Sequence, residues 1–93
     1  MILEVAILHI KPNQSEAFEK DYQLAKPIIS RAKGHISHQL KKCVETPNKY
    51  ILIVEWETLE DHMDSFRKSK DFLLWKSLLH SYFTSQTLVE HYS

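Results

Sequence analysis

Glycine and cysteine are almost absent from this chain of 93 residues, which has one of each, Gly34 and Cys43. Phosphate-binding loops of nucleotide enzymes use several glycines at fixed spacing, so a single glycine excludes them. A single cysteine cannot form an internal disulfide. Proteins without disulfides are typical of reducing compartments, and we therefore expect a cytoplasmic protein.

The chain also lacks an excess of charge of either sign, because 12 Lys and Arg balance 12 Asp and Glu. A protein that binds nucleic acid or an anionic membrane usually presents a basic face, so we expect neither partner. No apolar run approaches the roughly 18 residues of a membrane span, and no basic segment precedes an apolar one at the N-terminus. We therefore expect neither secretion nor membrane insertion.

What the chain does have is a hydrophobic content of 43%, ordinary for one globular domain over residues 1–93. Its hydrophobic periodicity predicts four strands and two helical regions, the second of them split. The predicted strands are 2–10, 35–44, 50–56 and 88–92, and the predicted helices are 13–32, 58–66 and 69–82. The order β-α-β-β-α-β predicts an α+β ferredoxin-like fold, an antiparallel sheet with helices on one face.

Polar and special residues mark the predicted helix ends. Asn13, Thr58 and Ser69 are expected to cap the three helices at their N-termini. Pro27 should kink the first helix or break it near residue 26, since proline removes a backbone donor. Gly34 stands where a left-handed cap ends a helix. The apolar face of the second helix is expected to carry Leu59, His62, Met63 and Phe66.

The strands 2–10 and 50–56 are apolar on both faces. If helices cover one face of the sheet, the other would leave several large side chains in water, at about 25 cal/mol per Å². We therefore predict a homodimer that forms through the sheet face. The alternative is a monomer in which one strand is central and well shielded.

Six histidines are candidates for chemistry. His35 and His38 are three apart on a predicted strand, so they should point to opposite faces, and no pair has the helical i, i+4 spacing; we expect no metal site. His38 shares the apolar parity with Ile36 and Leu40, which suits either a pocket or a structural role.

Two further histidines each leave alternatives open. His62 lies on an apolar helix face, and function and structure are equally compatible with that position; as a base or donor it would work near neutral pH. His91 follows the parity of Val89, which favours an interface or sheet role.

Glu4 and Glu90 interrupt apolar strands, and we expect both to be solvated. If either were buried, its pKa would rise and it would become a rival general base. Trp75 has the helical spacing that packing of the core alone requires. From this spacing we expect Trp75 to belong to the core and not to contact a substrate.

The order and spacing of several segments carry a family resemblance. These segments are 4–8, Gly34 with His38, 50–58 running into His62, and 89–92. Over essentially its whole length the chain resembles an antibiotic biosynthesis monooxygenase domain of the dimeric α/β-barrel superfamily.

This resemblance implies a homodimer with a pocket between sheet and helices, which oxidises a small aromatic such as a quinol or anthrone with O2 and without flavin, haem or metal. In the actinorhodin-pathway member a tryptophan ends the third strand and a tyrosine follows six residues later; the same spacing gives Trp56 and His62 here. On that basis the expected catalytic residues are His62 and His38. The expected substrate-binding residues are Trp56, Phe66, Trp75 and Tyr82.

Two other functions fit the same fold. One is a non-catalytic small-ligand-binding or stress-response dimer, and the other is an isomerase or lyase of a small carbonyl compound. A fold does not choose among such chemistries.

Overall fold

The computed structural model describes all 93 residues. Its elements are β1 (Ile2–His9), α1 (Ser15–Ser30), β2 (His35–Lys42), β3 (Lys49–Trp56), α2 (Lys70–Leu79) and β4 (Leu88–Tyr92). A π-helical segment, Asp61–Phe66, precedes α2, and a 3-10 turn, His80–Tyr82, follows it. None of the helices has the length and apolar character that crossing a membrane requires.

The four strands form one antiparallel sheet in the order β2-β3-β1-β4. The helices pack on one face of it, so the predicted ferredoxin-like α+β fold is confirmed. β1 lies between β3 and β4, and the register places Glu4 beside Val54 on one side and beside His91 on the other. Side chains of residues paired in this way lie on the same face of a sheet.

Two of the three predicted helix caps are present. The Ser69 hydroxyl accepts a hydrogen bond from the Phe72 amide at 3.1 Å, and the Thr58 hydroxyl accepts one from the Asp61 amide at 3.1 Å. The predicted cap at Asn13 is wrong: this residue has a φ of 65°, and α1 begins two residues later at Ser15. Asparagine tolerates the left-handed region, so Asn13 turns the chain before the helix instead of capping it.

Pro27 does not break α1, which continues to Ser30. The hydrogen bond that proline removes would have ended on the carbonyl of Gln23, an exposed residue that water can reach. The break predicted near residue 26 is therefore wrong, since the burial of Ile28 and Ile29 holds the last turn on the core.

Gly34 has a left-handed φ of 80°, as predicted, but it does not cap α1, which ends at Ser30 with Arg31 as its C-cap. A Cβ at this position would lie 2.0 Å from Oδ2 of Asp61, so only glycine allows the π-helical segment to approach β2 so closely.

The π-helical segment changes which residues face the core. Arg67 donates its amide to the His62 carbonyl at 3.1 Å, a bond five residues long instead of four. The wider turn rotates Leu59 and Met63 outward, where they are 40% and 38% exposed, while His62 and Phe66 are buried. The predicted four-residue apolar face is thus half wrong, because it assumed α-helical spacing.

The core lies between the sheet and the helices. Its 14 buried residues include Leu52, Val54 and Trp56 of β3 together with Phe18 and Ile29 of α1. The opposite face of the sheet carries no helix, and the side chains there are apolar and only half-buried: Leu3, Val5, Ile7, Ile51 and Ile53. Both faces of the two central strands are therefore apolar, as the sequence pattern indicates.

Candidate functional site

A cavity of about 370 Å³ lies between the sheet and the two helices. Its walls are mostly apolar, and five groups that carry charge or a proton line it as well: Glu4, His62, Arg67, Lys76 and His80. This volume is at the lower end of the range for small-molecule sites. An apolar cavity with a few polar groups gathered in it is the usual form of a site for a small organic ligand.

Glu4 is buried in this cavity, with 6% of its surface exposed. One carboxylate oxygen, Oε1, accepts a hydrogen bond of 2.9 Å from the indole N–H of Trp56, and the other, Oε2, has no hydrogen bond within the protein. Burial raises the pKa of Glu4 above its ordinary value of 4.5, although the Trp56 bond and the positive charge of Arg67 oppose this shift.

The expectation that Glu4 is solvated is therefore wrong. The two-residue alternation of β1 places Glu4 on the same face as Ala6 and Leu8, beneath the π-helical segment.

His62 lies beside Glu4 and is 5% exposed. Its ring stacks on Trp56 with centroids 5.1 Å apart, and its Nε2 is 3.3 Å from Glu4 Oε1. Burial, with repulsion from His91 and Arg67, lowers the pKa of His62 from 6.5 to about 4. The imidazole is consequently neutral at neutral pH, with one N–H to donate and one lone pair to accept.

His91 completes a chain of contacts that sequence spacing does not reveal. Its Nε2 lies 2.8 Å from Nδ1 of His62, and its position on β4 is opposite Glu4 in the sheet. Burial and the charge of Arg67 lower the pKa of His91. The contact depends on the pairing of β1 with β4, two segments separated by most of the chain, so periodicity within one segment could not predict it.

The expected substrate-binding residues divide between the cavity and its surroundings. Phe66 and Trp75 line the cavity. Trp56 is fully buried and does not. Its ring stacks on His62 and its N–H donates to Glu4, the two residues that separate it from the cavity. Tyr82 also lies outside the lining and donates its hydroxyl to Asp21 at 2.6 Å.

His38 lies away from Glu4 and His62. It faces an open groove of about 310 Å³ between α1 and β2, and its Nδ1 is 2.9 Å from Nε2 of His35. The expectation that these two histidines point to opposite faces is wrong, because a β-bulge between His35 and Ser37 interrupts the alternation. The same bulge turns Ile36 outward, where it is 47% exposed.

No group of three or more His, Cys, Asp or Glu side chains in the structure is arranged to hold a metal ion. The two ring nitrogens of His62 are each in contact with a protein partner, Glu4 on one side and His91 on the other.

Tyr22 of α1 lies between the groove and the cavity and lines both. Its hydroxyl is the buried side-chain polar atom that has no hydrogen-bond partner. Burial raises the pKa of Tyr22 to about 12, so the phenol stays protonated. Sequence reasoning missed Tyr22 as a site residue, since nothing in its spacing marks an unpaired hydroxyl.

These contacts give the cavity the components of acid–base chemistry. The raised pKa of Glu4 is closer to the pKa of a weakly acidic substrate than the pKa of a solvated carboxylate is. The carboxylate also lies in a cavity where water is scarce. A neutral imidazole in contact with this carboxylate can donate one hydrogen bond and accept another without placing a charge in the buried site.

Comparison with known proteins now places the chain in a family. Residues 1–77 match the model of the antibiotic biosynthesis monooxygenase family. The chain belongs to this family. A relative from Bacillus subtilis strain 168, the uncharacterized protein YczJ, is 50% identical over 92 residues, which are 99% of this chain and 97% of that protein.

Two solved structures illustrate the range of similarity. A candidate antibiotic biosynthesis monooxygenase from Bordetella bronchiseptica is 35% identical, with a TM-score of 0.96 over 99% of this chain and 94% of that one. SnoaB, a cofactor-independent oxygenase from Streptomyces nogalater, is 17% identical, with a TM-score of 0.82 over 99% and 90% of the two chains. The second similarity shows the fold alone.

Proposed function

We propose that this protein is a cofactor-independent monooxygenase that oxidises a small electron-rich aromatic compound, of the quinol or anthrone kind, with O2. The observation that carries the proposal is the buried Glu4, whose Oε2 has no hydrogen-bond partner in the protein, in an apolar cavity beside His62. Membership of the antibiotic biosynthesis monooxygenase family supports it.

The proposed reaction begins with removal of a proton from the substrate by Glu4, which leaves an electron-rich anion. The anion gives one electron to O2, and recombination of the two radicals forms a carbon–oxygen bond and a peroxide anion. Return of a proton gives the hydroperoxide, and loss of water from it leaves a carbonyl group. In sum, a CH2 group and O2 become C=O and H2O, so no other oxidant or reductant is needed.

The residues around Glu4 have different parts in this proposal. Phe66 and Trp75 hold the aromatic body of the substrate, because both line the cavity. Trp56 is a positioning residue, whose N–H fixes the carboxylate and whose ring supports His62. His38 and Tyr82 have no part in it, since neither lines the cavity.

Measurement of O2 consumption tests the proposal directly. Purified protein, treated with a chelator and free of flavin, is supplied with a panel of hydroquinones, naphthols and anthrones. We expect at least one compound to consume one O2 per molecule and to yield the carbonyl product. Thermal stabilisation by a compound that is never consumed would identify a binding protein, and exchange of substrate hydrogen with deuterated solvent without O2 uptake would identify an isomerase or lyase.

We further propose that the protein works as a homodimer through the uncovered face of its sheet. The side chains of Val5 and Ile53 are paired across β1 and β3 on that face and remain half-buried by their neighbours alone. Packing two such sheets together would remove this apolar surface from water, at about 25 cal/mol per Å².

Light scattering at micromolar concentration should therefore give twice the chain mass of 11.0 kDa. Ile53→Lys should shift the mass toward the monomer, because it would bury a charge in the interface. The matched control, Leu73→Lys, changes an exposed leucine on α2 and should leave the dimer intact. A wild-type mass of a single chain would exclude the dimer.

A further inference from the structure

The geometry points to a proton relay that connects the cavity with the edge of the sheet through Glu4, His62 and His91. Glu4 and His62 line the cavity, His91 does not, and β4, which carries His91, is an edge strand. His91 is also only partly buried, so its ring has access to the outside. The relay stands on these contacts, and its use in turnover rests on the proposed function.

The two close contacts fix where the protons are. When Glu4 is ionised it can only accept, so the proton of neutral His62 lies on Nε2, which is 3.3 Å from Glu4 Oε1. Nδ1 of His62 then carries a lone pair and accepts from Nε2–H of His91 at 2.8 Å. The remaining nitrogen of His91, Nδ1, is left with a lone pair that can take up a proton from outside.

When a proton binds to His91 Nδ1, each proton of the relay passes to the next residue. The Nε2–H bond of His91 breaks as a proton passes to His62 Nδ1, and the Nε2–H bond of His62 breaks as a proton passes to Glu4 Oε1. The products are a neutral carboxylic acid and two neutral imidazoles, each protonated on Nδ1. One proton has entered and the reverse shift releases it, so no imidazolium persists in the buried site.

The charged groups around the relay favour neutral imidazoles. Arg67, at the end of the π-helical segment, is close enough to lower the pKa values of Glu4, His62 and His91. Lys76 of α2 and His80 of the following turn line the same cavity. A positive charge held on His62 would be repelled by Arg67, whereas a proton that moves through as described leaves no such charge.

In the proposed reaction the relay would let Glu4 release to solvent the proton that it takes from the substrate and regain one for the peroxide anion. Of the three relay residues, Glu4 alone has an oxygen that makes no hydrogen bond within the protein, so Glu4 is the group that contacts the substrate. Protonation through His91 would let the cavity stay closed around the substrate while protons exchange with solvent.

Nitrogen-15 NMR of the imidazoles tests the relay without any substrate. Across about pH 3.5 to pH 8, a range that spans the ordinary pKa values of carboxyl groups and imidazoles, we expect His62 and His91 to carry their protons on Nε2 at high pH. Both should change to Nδ1 with one shared midpoint as Glu4 is protonated, and Glu4→Gln should abolish this joint change. Exposed His9, outside these contacts, is the internal reference. Independent conversion of His62 and His91 to imidazolium, unaffected by Glu4→Gln, would overturn the relay.

Chemical rescue tests its use in turnover. We expect His91→Ala to slow O2 consumption at least about tenfold and added imidazole to restore the rate. The matched reagent 1-methylimidazole has nearly the same shape but only one nitrogen that can carry a proton, so it cannot take up a proton at one nitrogen while it releases another from the second, and it should not restore the rate. Equal rescue by both would assign His91 a structural role only. If no compound is oxidised, the proposed function fails and the NMR result still decides the relay.

Discussion

Glu4→Gln is expected to reduce O2 consumption with any accepted substrate by at least about 100-fold, the contribution usual for a general base. Glutamine has nearly the same shape, and its oxygen can still accept the hydrogen bond from Trp56 Nε1 and lie close to His62 Nε2, the two nitrogens that approach Glu4 Oε1. It cannot accept a proton. The loss should therefore appear in kcat, while KM changes little, because cavity walls and hydrogen bonds are preserved.

Steady-state O2 electrode assays of the two proteins make this measurement. Glu16→Gln is the matched control, because Glu16 is an exposed carboxylate in the first turn of α1 and does not line the cavity. It should keep the wild-type rate. A Glu4→Gln variant that binds and oxidises substrate as the wild type does would remove Glu4 as the base and, with it, the observation on which the proposed monooxygenase rests.

The fold was predictable because its signals are local. β3, from Lys49 to Trp56, combines β-branched and aromatic residues with a clear end, and Ser69 and Thr58 mark helix starts by their hydroxyls. Gly34 is placed by a φ that other residues rarely adopt. Each of these features is a property of a few adjacent residues, so one sequence is enough to show it.

The site was predictable only in part because it depends on register and on two irregularities. His62 was a candidate from its apolar helix face, but Glu4 appeared solvated, since alternation alone does not show which face of β1 the helices cover. The β-bulge that brings His35 onto the face of His38, and the π-helical turn at His62, each shift side chains by one residue. Such shifts are set by packing between distant segments.

Stability should respond to pH through the same buried pair. The folded-state pKa of His62, about 4, is below its ordinary value of 6.5, so between these values the unfolded chain binds more protons and the free energy of unfolding falls as the pH is lowered. A shift of this size corresponds to about 3 kcal/mol. Glu4 acts in the opposite sense: its folded-state pKa is above 4.5, so its contribution grows as the pH falls toward that value.

Removal of either partner should expose the contribution of the other. In Glu4→Gln only His62 remains, so the free energy of unfolding should fall by up to about 3 kcal/mol between pH 7 and pH 4, a larger fall than in the wild type, where Glu4 offsets part of it. In His62→Gln only Glu4 remains, so the acid loss should be smaller than in the wild type. Urea unfolding across this range measures all three proteins. Asp71, whose pKa is lowered by its bond to Arg31, titrates in each of them and cancels in the comparison. If the free energy of unfolding had the same pH dependence in both variants, the pKa values of Glu4 and His62 would not be shifted in opposite directions by folding.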